Sequence, residues 1–312
     1  IDLVPVTVEM NLLYKPLPGG SPYNVAIGLS RLGIPCSYLG KISTDSFGDK
    51  LVDILRQEEV STEYLVRSLK PTTISFPNKS IDGGDEIRFY GVGNADQKMK
   101  VEELPHSLPD TVHSIHIGSY SIISGETSET LKTLVERENS RRVITIDPNV
   151  RPHIYPDHDK YLARLQEVIK LVNIVKTSSQ DIAWLYPGQS EEYVAHKWLE
   201  YGPQFIVITR GSNGAVAFGN GWTVSVRSPS VIVADTIGAG DAFMSALLAK
   251  LDSMKLLNKK GISTLSTSAA KQCLSYACTA ASISCTKQGL SLIHISEPTR
   301  PRLISYAVFC LK

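Results

Sequence analysis

Residues 235–243 read DTIGAGDAF, and two segments of different character flank them. VSVRSPSVIVA (224–234) comes before and is rich in the β-branched residues typical of a strand. MSALLAKLDSM (244–254) comes after and has the apolar spacing of a helix. We therefore predict an α/β protein in which a strand passes into a helix through this run of small residues and one carboxylate.

That junction has the chemistry of an anion site. The first N–H groups of a helix lack partners within the helix, and the helix dipole is positive there. Gly238, Ala239 and Gly240 let this backbone approach a ligand without obstruction. Asp241 would then be placed to take a proton from an attacking hydroxyl, as phosphoryl transfer requires. The alternative is that Asp241 only caps the helix in a glycine-rich turn.

The rest of the chain alternates strand-like and helix-like segments, which favours a doubly wound, mainly parallel sheet in a three-layer α/β fold. The predicted strands are CSYLGKI (36–42), SIHIGS (114–119), RRVITIDPN (141–149), VNIVKTS (172–178) and QFIVITRG (204–211). The predicted helices are NVAIGLSRLG (24–33), FGDKLVDILRQEEV (47–60), SETLKTLVEREN (128–139), YLARLQEVIKLV (161–172) and EEYVAHKWLEYG (191–202). Ligands of such folds bind at the carboxyl ends of the strands.

One region departs from this alternation. Residues 71–97 contain two strand-like runs around a glycine-rich turn, without a helix between them. Together with residues 4–18 they predict a small separate β-sheet. The expected organisation is a single domain over 1–289 that carries this small sheet.

Composition narrows the function classes. The 312 residues carry a net charge of +1, which favours neither a nucleic acid nor a membrane surface as partner. The five cysteines have irregular spacing and predict reduced thiols in a cytoplasmic protein. The paired histidines at 113 and 116, and at 153 and 158, lack a third metal ligand at a known spacing. The motifs of a P-loop kinase and of a serine hydrolase do not occur.

The two ends of the sequence read differently from the middle. The opening IDLVPVTVEM has no initiating Met and no complete first strand, so we expect a truncated front. LSLIHISEPTRPRLISYAVFCLK (290–312) matches the in-frame translation of a sequencing-library adapter. A genuine amphipathic segment is the alternative. We expect 290–312 to be a non-native tail outside the fold.

A second motif adds to the first. GGSPYNVAIGLSRLG (19–33) places a glycine pair and Asn24 at a helix start, where an amide can contact sugar hydroxyls or simply belong to a loop and cap. Together with DTIGAGD it resembles the two signatures of the ribokinase-like (PfkB) carbohydrate kinases, over residues 1–289. IDPNVRP (146–152) and KTSSQD (176–181) are most similar to the fructokinase branch.

The resemblance implies catalytic and sugar-binding roles. Asp241 would be the catalytic base, and Gly238, Ala239 and Gly240 would form the anion hole for the transferring phosphoryl group. Asp2, Gly20 and Asn24 would contact the sugar. The small sheet would be a lid that closes over the sugar and excludes water, and through which family members form homodimers.

The resemblance also implies a nucleotide site and two cation sites. The nucleotide site would comprise Lys176, Thr209, Gly211, Asn149 and Arg151, with Asp147 near the phosphates or only capping the turn before Pro148. The family's Asn-x-x-Glu magnesium motif appears as Ser178 and Asp181, in which Asp is shorter than Glu. A monovalent cation, K⁺, would bind near Asp235, Thr236 and the segment SCTKQG (284–289).

The implied activity is ATP- and Mg²⁺-dependent phosphorylation of a small sugar, with fructose as the first expectation. Many fructokinases carry an arginine after the lid residues FY, and this sequence has Gly91 there. The acceptor therefore stays open between fructose and 2-keto-3-deoxygluconate, ribose or a nucleoside. A sugar- or nucleotide-sensing protein without catalysis is the alternative from another class.

Overall fold

The structure is a computed structural model that describes residues 1–8, 11–79, 85–286 and, as backbone, 308–311. Its large sheet has nine strands, and its small sheet has four. The strands are β1 (Asp2–Val8), β2 (Asn11–Leu17), β3 (Cys36–Ser43), β4 (Leu65–Ser68), β5 (Ile74–Lys79), β6 (Asp85–Tyr90), β7 (Ser114–Gly118), β8 (Val143–Asp147), β9 (Ile174–Ser178), β10 (Phe205–Thr209), β11 (Ala215–Gly219), β12 (Trp222–Val226) and β13 (Val308–Leu311).

The helices fall between these strands along the chain, as the alternating pattern predicts. They are α1 (Ser21–Arg31), α2 (Ser46–Gln57), α3 (Gly125–Glu138), α4 (His158–Ile169), α5 (Ser179–Leu185), α6 (Glu191–Tyr201), α7 (Ala239–Ser253), α8 (Lys259–Ser263) and α9 (Thr267–Ser284). Within the described residues, none of these helices is both long and apolar enough to cross a membrane.

The large sheet is mainly parallel, in the order β12-β11-β10-β9-β8-β7-β13-β3-β4. Among the described strands of this sheet, β11 runs antiparallel to both of its neighbours, β10 and β12. The central strands β7 and β8 are buried along their whole length, because helices cover both faces. One core cluster joins one face to α1, α2, α7, α8 and α9, and the other joins the opposite face to α3, α4, α5 and α6. The predicted three-layer fold is therefore confirmed.

The small sheet has the order β2-β1-β5-β6. It uses the two predicted segments, although its first strand begins at Asp2 rather than at residue 4, and its last ends at Tyr90. The glycine-rich turn at 83–84 lies outside the described residues.

Two expectations need correction. The strand predicted over 224–234 ends at Val226, and residues 227–238 form an irregular connection in which Pro229 follows Ser228 and Ile232 is 92% exposed. A proline removes a ladder hydrogen bond, so β-branched residues beyond it do not extend the strand. The junction before α7 is therefore a loop.

The second correction concerns the tail. We expected 290–312 to lie outside the fold, but the backbone of Val308–Leu311 forms β13 between β3 and β7, parallel to both. Without a strand between them, β3 and β7 would each leave backbone N–H and C=O groups without ladder partners. The short extended segment Val308–Leu311 pairs with both strands. Residues 287–307 and 312 lie outside the described residues.

A buried ion pair at the end of α3 gives a test of this packing. Glu138 pairs with Arg142, which also donates to the carbonyls of Leu108 and Pro109 at 2.8 Å. We expect Glu138→Ala to lower the free energy of unfolding by about 3 kcal/mol, because it leaves a buried guanidinium without its charge partner. Urea unfolding followed by tryptophan fluorescence measures the change.

The control is the neighbouring exposed pair of Arg141 and Asp110, whose side chains are 60% and 88% exposed. Asp110→Ala should cost less than about 1 kcal/mol. Equal losses in the two variants would contradict a structural role for the buried pair.

Candidate active site

Two helices begin next to each other at the candidate site, each preceded by a glycine. Gly238 precedes α7 with φ 78°, and Gly20 precedes α1 with φ 117°. Both values lie in the region that favours glycine. The conformations explain why each motif has a glycine at this place, and they bring Asp241, in the first turn of α7, next to the first turn of α1.

Asp241 is held by α1 through both of its carboxylate oxygens. The Ser21 hydroxyl donates to Oδ1 at 2.6 Å, and the Asn24 amide donates to Oδ2 at 2.7 Å. Asp241 is only 6% exposed. The N-terminal cap of α7 is Gly238, so the alternative that Asp241 caps its helix is excluded. Asn24 likewise lies inside α1 and does not cap it.

Burial sets the protonation chemistry of Asp241. Desolvation raises the pKa of this carboxyl above its usual value. The hydrogen bonds from Ser21 and Asn24, and then the charges of Lys176 and Arg151, offset part of this rise in the pKa. A carboxylate with a raised pKa, held beside a helix N-terminus, can accept a proton from a nearby hydroxyl.

A buried ion pair lies beside the first turn of α7. Lys176 Nζ donates to Asp147 Oδ2 at 2.6 Å, and both side chains are nearly inaccessible. A side-chain carbon added to Gly240 would lie 3.0 Å from Lys176 Nζ. The ammonium therefore approaches the helix backbone closely, and a glycine leaves it room.

The pKa values of this pair follow from burial and from each other. Burial raises the pKa of Asp147 to about 6, although Lys176 opposes the shift. Burial alone would lower the pKa of Lys176, but Asp147, Asp181 and Asp241 together raise it above its usual value. Lys176 therefore keeps its positive charge beside α7, where it can balance an anion.

Asp147 contacts both the turn that follows it and Lys176. Its Oδ1 accepts from the Asn149 N–H at 3.2 Å, which stabilises the turn around Pro148, while Oδ2 binds Lys176. Asn149 has φ 41°, a conformation that asparagine tolerates better than most residues. Arg151 follows and donates to the Val150 carbonyl at 3.0 Å.

The carboxyl ends of β8, β9 and β10 form one edge, at which Asp147, Ser178 and Thr209 lie. Thr209 pairs in register with Ser178, and its hydroxyl donates to the Thr177 carbonyl at 3.2 Å. Gly211 begins the following turn with φ 56°, and an added side-chain carbon there would meet no atom within 4 Å. This edge is open backbone of the kind that can receive phosphates.

Ser178 and Asp181 hydrogen-bond to each other. The Ser178 hydroxyl accepts from the Asp181 N–H at 3.1 Å, and Asp181 Oδ2 accepts from the Ser178 N–H at 3.1 Å. Asp181 Oδ1 accepts from the Val150 N–H at 3.0 Å. The two residues form a capping box for α5. They do not fit a direct magnesium site, and the described residues contain no cluster of three or more metal-ligating acidic, His or Cys side chains.

The predicted sugar residues lie together at the start of α1. Asp2 in β1 accepts a hydrogen bond from the Ser75 hydroxyl. A side-chain carbon added to Gly19 would overlap the Asp2 carboxylate, at 2.3 Å from Oδ2. The glycine pair before Ser21 is thus pressed against Asp2, while Asn24 faces Asp241 on the other side.

Asp235 and Thr236 lie in the loop before α7. The N–H groups of Ala234 and Asp235 donate to the Cys285 carbonyl at 2.8 and 3.3 Å, so this loop contacts the end of α9. Asp235 Oδ1 accepts from the Ile237 N–H, and the Thr236 carbonyl accepts from Ala239.

Sequence reasoning missed the contacts of Ser21 and of the aromatic residues beneath the small sheet. Ser21 and Asp241 are separated by 220 positions, and a serine at a helix start gives no signal of a partner so distant. Phe89 in β6 stacks on His153, with ring centroids 5.9 Å apart, and meets Tyr120 edge-on at 5.4 Å. His116 is fully buried in the core, with its Nδ1 2.9 Å from the Thr145 hydroxyl.

Comparisons with known proteins agree with this architecture. The profile of the pfkB family carbohydrate kinases matches residues 14–296. A fructokinase of Rhizobium leguminosarum bv. trifolii is 34% identical over 266 residues, which cover 85% of this chain and 81% of that protein.

Solved structures share the fold. The ATP-bound fructokinase of Xylella fastidiosa has a TM-score of 0.85 at 22% identity, covering 93% of this chain and 91% of its own. The aminoimidazole riboside kinase of Salmonella enterica, complexed with its riboside and an ATP analogue, has a TM-score of 0.78 at 20% identity, covering 94% and 92%.

The ion pair of Lys176 and Asp147 gives a pH-dependent prediction. Lys176→Met leaves a buried carboxylate whose pKa, already about 6, rises further. The variant should lose about 3 kcal/mol of stability relative to wild type at pH 8. At pH 5 the loss should be smaller, because the folded variant binds a proton at Asp147 that the unfolded chain, with a pKa of about 3.9, mostly does not.

Urea unfolding at the two pH values measures this difference. The control is the double variant Asp147→Asn with Lys176→Met, which removes both charges and should recover much of the stability at pH 8. A loss in Lys176→Met that does not change with pH would contradict the role of the carboxylate.

Proposed function

The chain belongs to the pfkB family of carbohydrate kinases, and we propose that it is a fructokinase that transfers the terminal phosphoryl group of ATP to fructose, giving fructose 6-phosphate and ADP. The observation that carries the proposal is the buried Asp241 carboxylate in the first turn of α7, held by Ser21 and Asn24. The 34% identity to a fructokinase supports the choice of sugar.

In the proposed reaction Asp241 accepts the proton of the attacking sugar hydroxyl. The hydroxyl oxygen forms its bond to the terminal phosphorus, and the bond from that phosphorus to the bridging oxygen of ADP breaks. The backbone of Gly238, Ala239 and Gly240 would line the anion hole for the transferring group, and the positive end of α7 would stabilise its charge. Lys176 supplies a fixed positive charge beside the same turn.

The remaining predicted contacts divide between the two substrates. Asp2 and Gly20 would contact the sugar, and Asn24 would orient the base while facing the sugar. The phosphates of ATP would lie along the strand edge formed by Thr209, Gly211 and the turn that carries Asn149 and Arg151. The small sheet would act as the lid over the sugar.

ATP would bind as its magnesium complex, with the ion carried by the phosphates and water rather than by Ser178 and Asp181, whose polar atoms form the capping box. A K⁺ site near Asp235 and Thr236 agrees with the oxygen donors of that loop. A double mutant of the fructokinase of Vibrio cholerae O395 has a crystal structure with fructose, ADP and a potassium ion bound.

The proposal has two alternatives: a kinase of the same family with another acceptor, and a sensor protein without catalysis. A side-chain carbon added to Gly91 would lie 1.9 Å from Asn94 Nδ2, so an arginine here requires Asn94 to move. Without that arginine, a nucleoside, ribose or 2-keto-3-deoxygluconate competes with fructose as acceptor. A sensor without catalysis is disfavoured by the intact base and helix N-terminus.

The first test is ADP release from magnesium ATP across fructose, ribose, 2-keto-3-deoxygluconate and adenosine. We expect turnover with fructose, and Asp241→Asn should lower kcat by about 100-fold or more, because it removes the base. ATP binding, measured by isothermal titration, should be nearly unchanged in that variant.

Each other outcome has a definite meaning. Turnover with another acceptor, and not with fructose, would change the proposed substrate but leave the proposed mechanism unchanged. Equal turnover in Asp241→Asn contradicts the role of the base. Binding of sugar without turnover on any acceptor, in a protein shown to be folded, favours the sensor.

We also propose that two copies associate through the outer face of the small sheet. Tyr14 and Tyr90 flank Phe76 on this face, with ring centroids 5.3 and 5.1 Å from it. Leu12, Tyr14 and Tyr90 are 61%, 44% and 57% exposed. Adjacent exposed aromatic and apolar side chains favour a protein interface.

The double variant Tyr14→Ser with Tyr90→Ser should sediment as a monomer at concentrations where the wild type is a dimer. Ile232→Ser is the matched control, since Ile232 is exposed but lies in the loop before α7. A wild-type monomer at high concentration, or a dimer that persists in the double variant, would contradict this interface.

A further inference from the structure

The Ser21 hydroxyl is bonded directly to the carboxylate assigned as the base. Ser21 is 7% exposed and is the first residue of α1, fixed between Gly20, with φ 117°, and Pro22. Pro22 restricts the backbone conformation of the residue before it, which is Ser21. The oxygen lies 2.6 Å from Asp241 Oδ1, a distance typical of a hydrogen bond to an ionised carboxylate.

The geometry leaves the Asp241 carboxylate two hydrogen-bond acceptor positions, one on each oxygen. Each carboxylate oxygen has two lone-pair positions. Ser21 occupies one on Oδ1, and Asn24 occupies one on Oδ2, at 2.7 Å. With its carboxylate plane fixed from α1, Asp241 presents its remaining lone pairs in a constant direction.

We propose that Ser21 is a positioning residue of the reaction, whose hydroxyl orients the Asp241 carboxylate and keeps it ionised at the working pH. The proposal rests on the proposed function, because it assumes that Asp241 is the base. It assigns to Ser21 a contact with the base rather than with the sugar.

The charged groups around Asp241 determine how the loss of Ser21 would appear. Lys176 faces it from β9 and Arg151 from the loop after β8, and both favour the ionised form. Asp147 at the end of β8 is the acidic neighbour. Burial is the largest influence and raises the pKa of Asp241, and among the opposing contacts the Ser21 hydrogen bond comes first. Removal of the hydroxyl therefore raises that pKa further.

The test is the pH dependence of kcat, with saturating fructose and magnesium ATP, for wild type and Ser21→Ala. Because a hydrogen bond to a charged group contributes about 1.5 kcal/mol or more, the acid limb should move up by about one pH unit. Above that limb kcat should return to within about threefold of wild type, because a base deprotonated by the higher pH no longer needs the serine to stay ionised.

Ser245→Ala is the matched control. Ser245 is fully buried between the same two helices, but its hydroxyl donates to the backbone carbonyls of Asp241 at 2.7 Å and Val25 at 3.2 Å. Its pH profile should coincide with that of wild type. Ser21→Cys keeps nearly the volume of serine with a weaker donor, so it should shift the acid limb in the same direction even if the alanine variant does not fold.

Different results would contradict the role of Ser21 and the proposed sugar kinase activity on which it rests. If wild type turns over sugar and Ser21→Ala and Ser21→Cys keep the wild-type acid limb, the role of Ser21 is wrong and Asp241 is unaffected. A kcat reduced equally at every pH, with an unshifted acid limb, also overturns it, because loss of this hydrogen bond must raise the pH at which Asp241 ionises. No turnover by folded wild type on any acceptor overturns the proposed function itself.

Discussion

The carboxylate of Asp241 is buried where the first turns of α1 and α7 meet, and the site is organised around the cost of keeping it there. An ionised carboxylate removed from water is unfavourable unless hydrogen bonds and opposite charges compensate for the lost hydration. Ser21 and Asn24 supply those bonds from α1, and the positive end of α7 adds to them. The packing of α1 against α7 is therefore electrostatic at this end, while apolar side chains and the hydrogen bond from Ser245 to the Val25 carbonyl hold the rest of the contact.

The ion pair of Lys176 and Asp147 extends the same logic to the strand edge. Parallel strands bring their carboxyl ends to one side, so residues from β8 and β9 meet α7 there. Before any ligand binds, two positive groups, Lys176 and Arg151, already face three carboxyl groups, Asp147, Asp181 and Asp241. A bound phosphate would add negative charge and disfavour the ionised base. Direct hydrogen bonds to Asp241 would then matter more than they do in the free protein.

Local patterns in the sequence predicted the layers, the parallel sheet and the helix that begins at the glycines, because buried parallel strands read as continuous apolar runs. They also indicated Asp241 as the central carboxylate. They failed at 224–234, where β-branched residues continue past a proline into an exposed loop, and at β13, where pairing depends on two distant strands. The contact of Ser21 with Asp241 was missed because its partner lies 220 positions away, and the local capping box of Ser178 with Asp181 was missed because the two residues were assigned to a metal site.

The small sheet is connected to the turn after β8 by contacts that no single motif contains. Asp96 accepts hydrogen bonds from Thr73, at the start of the segment that leads into β5, and from Tyr120, after β7. Tyr120 meets Phe89 of β6, and Phe89 stacks on His153, two residues after Arg151. A movement of β6 therefore changes the support of the turn that carries Arg151. Because Arg151 favours the ionised form of Asp241, this series of contacts connects the small sheet with the surroundings of the Asp241 carboxylate.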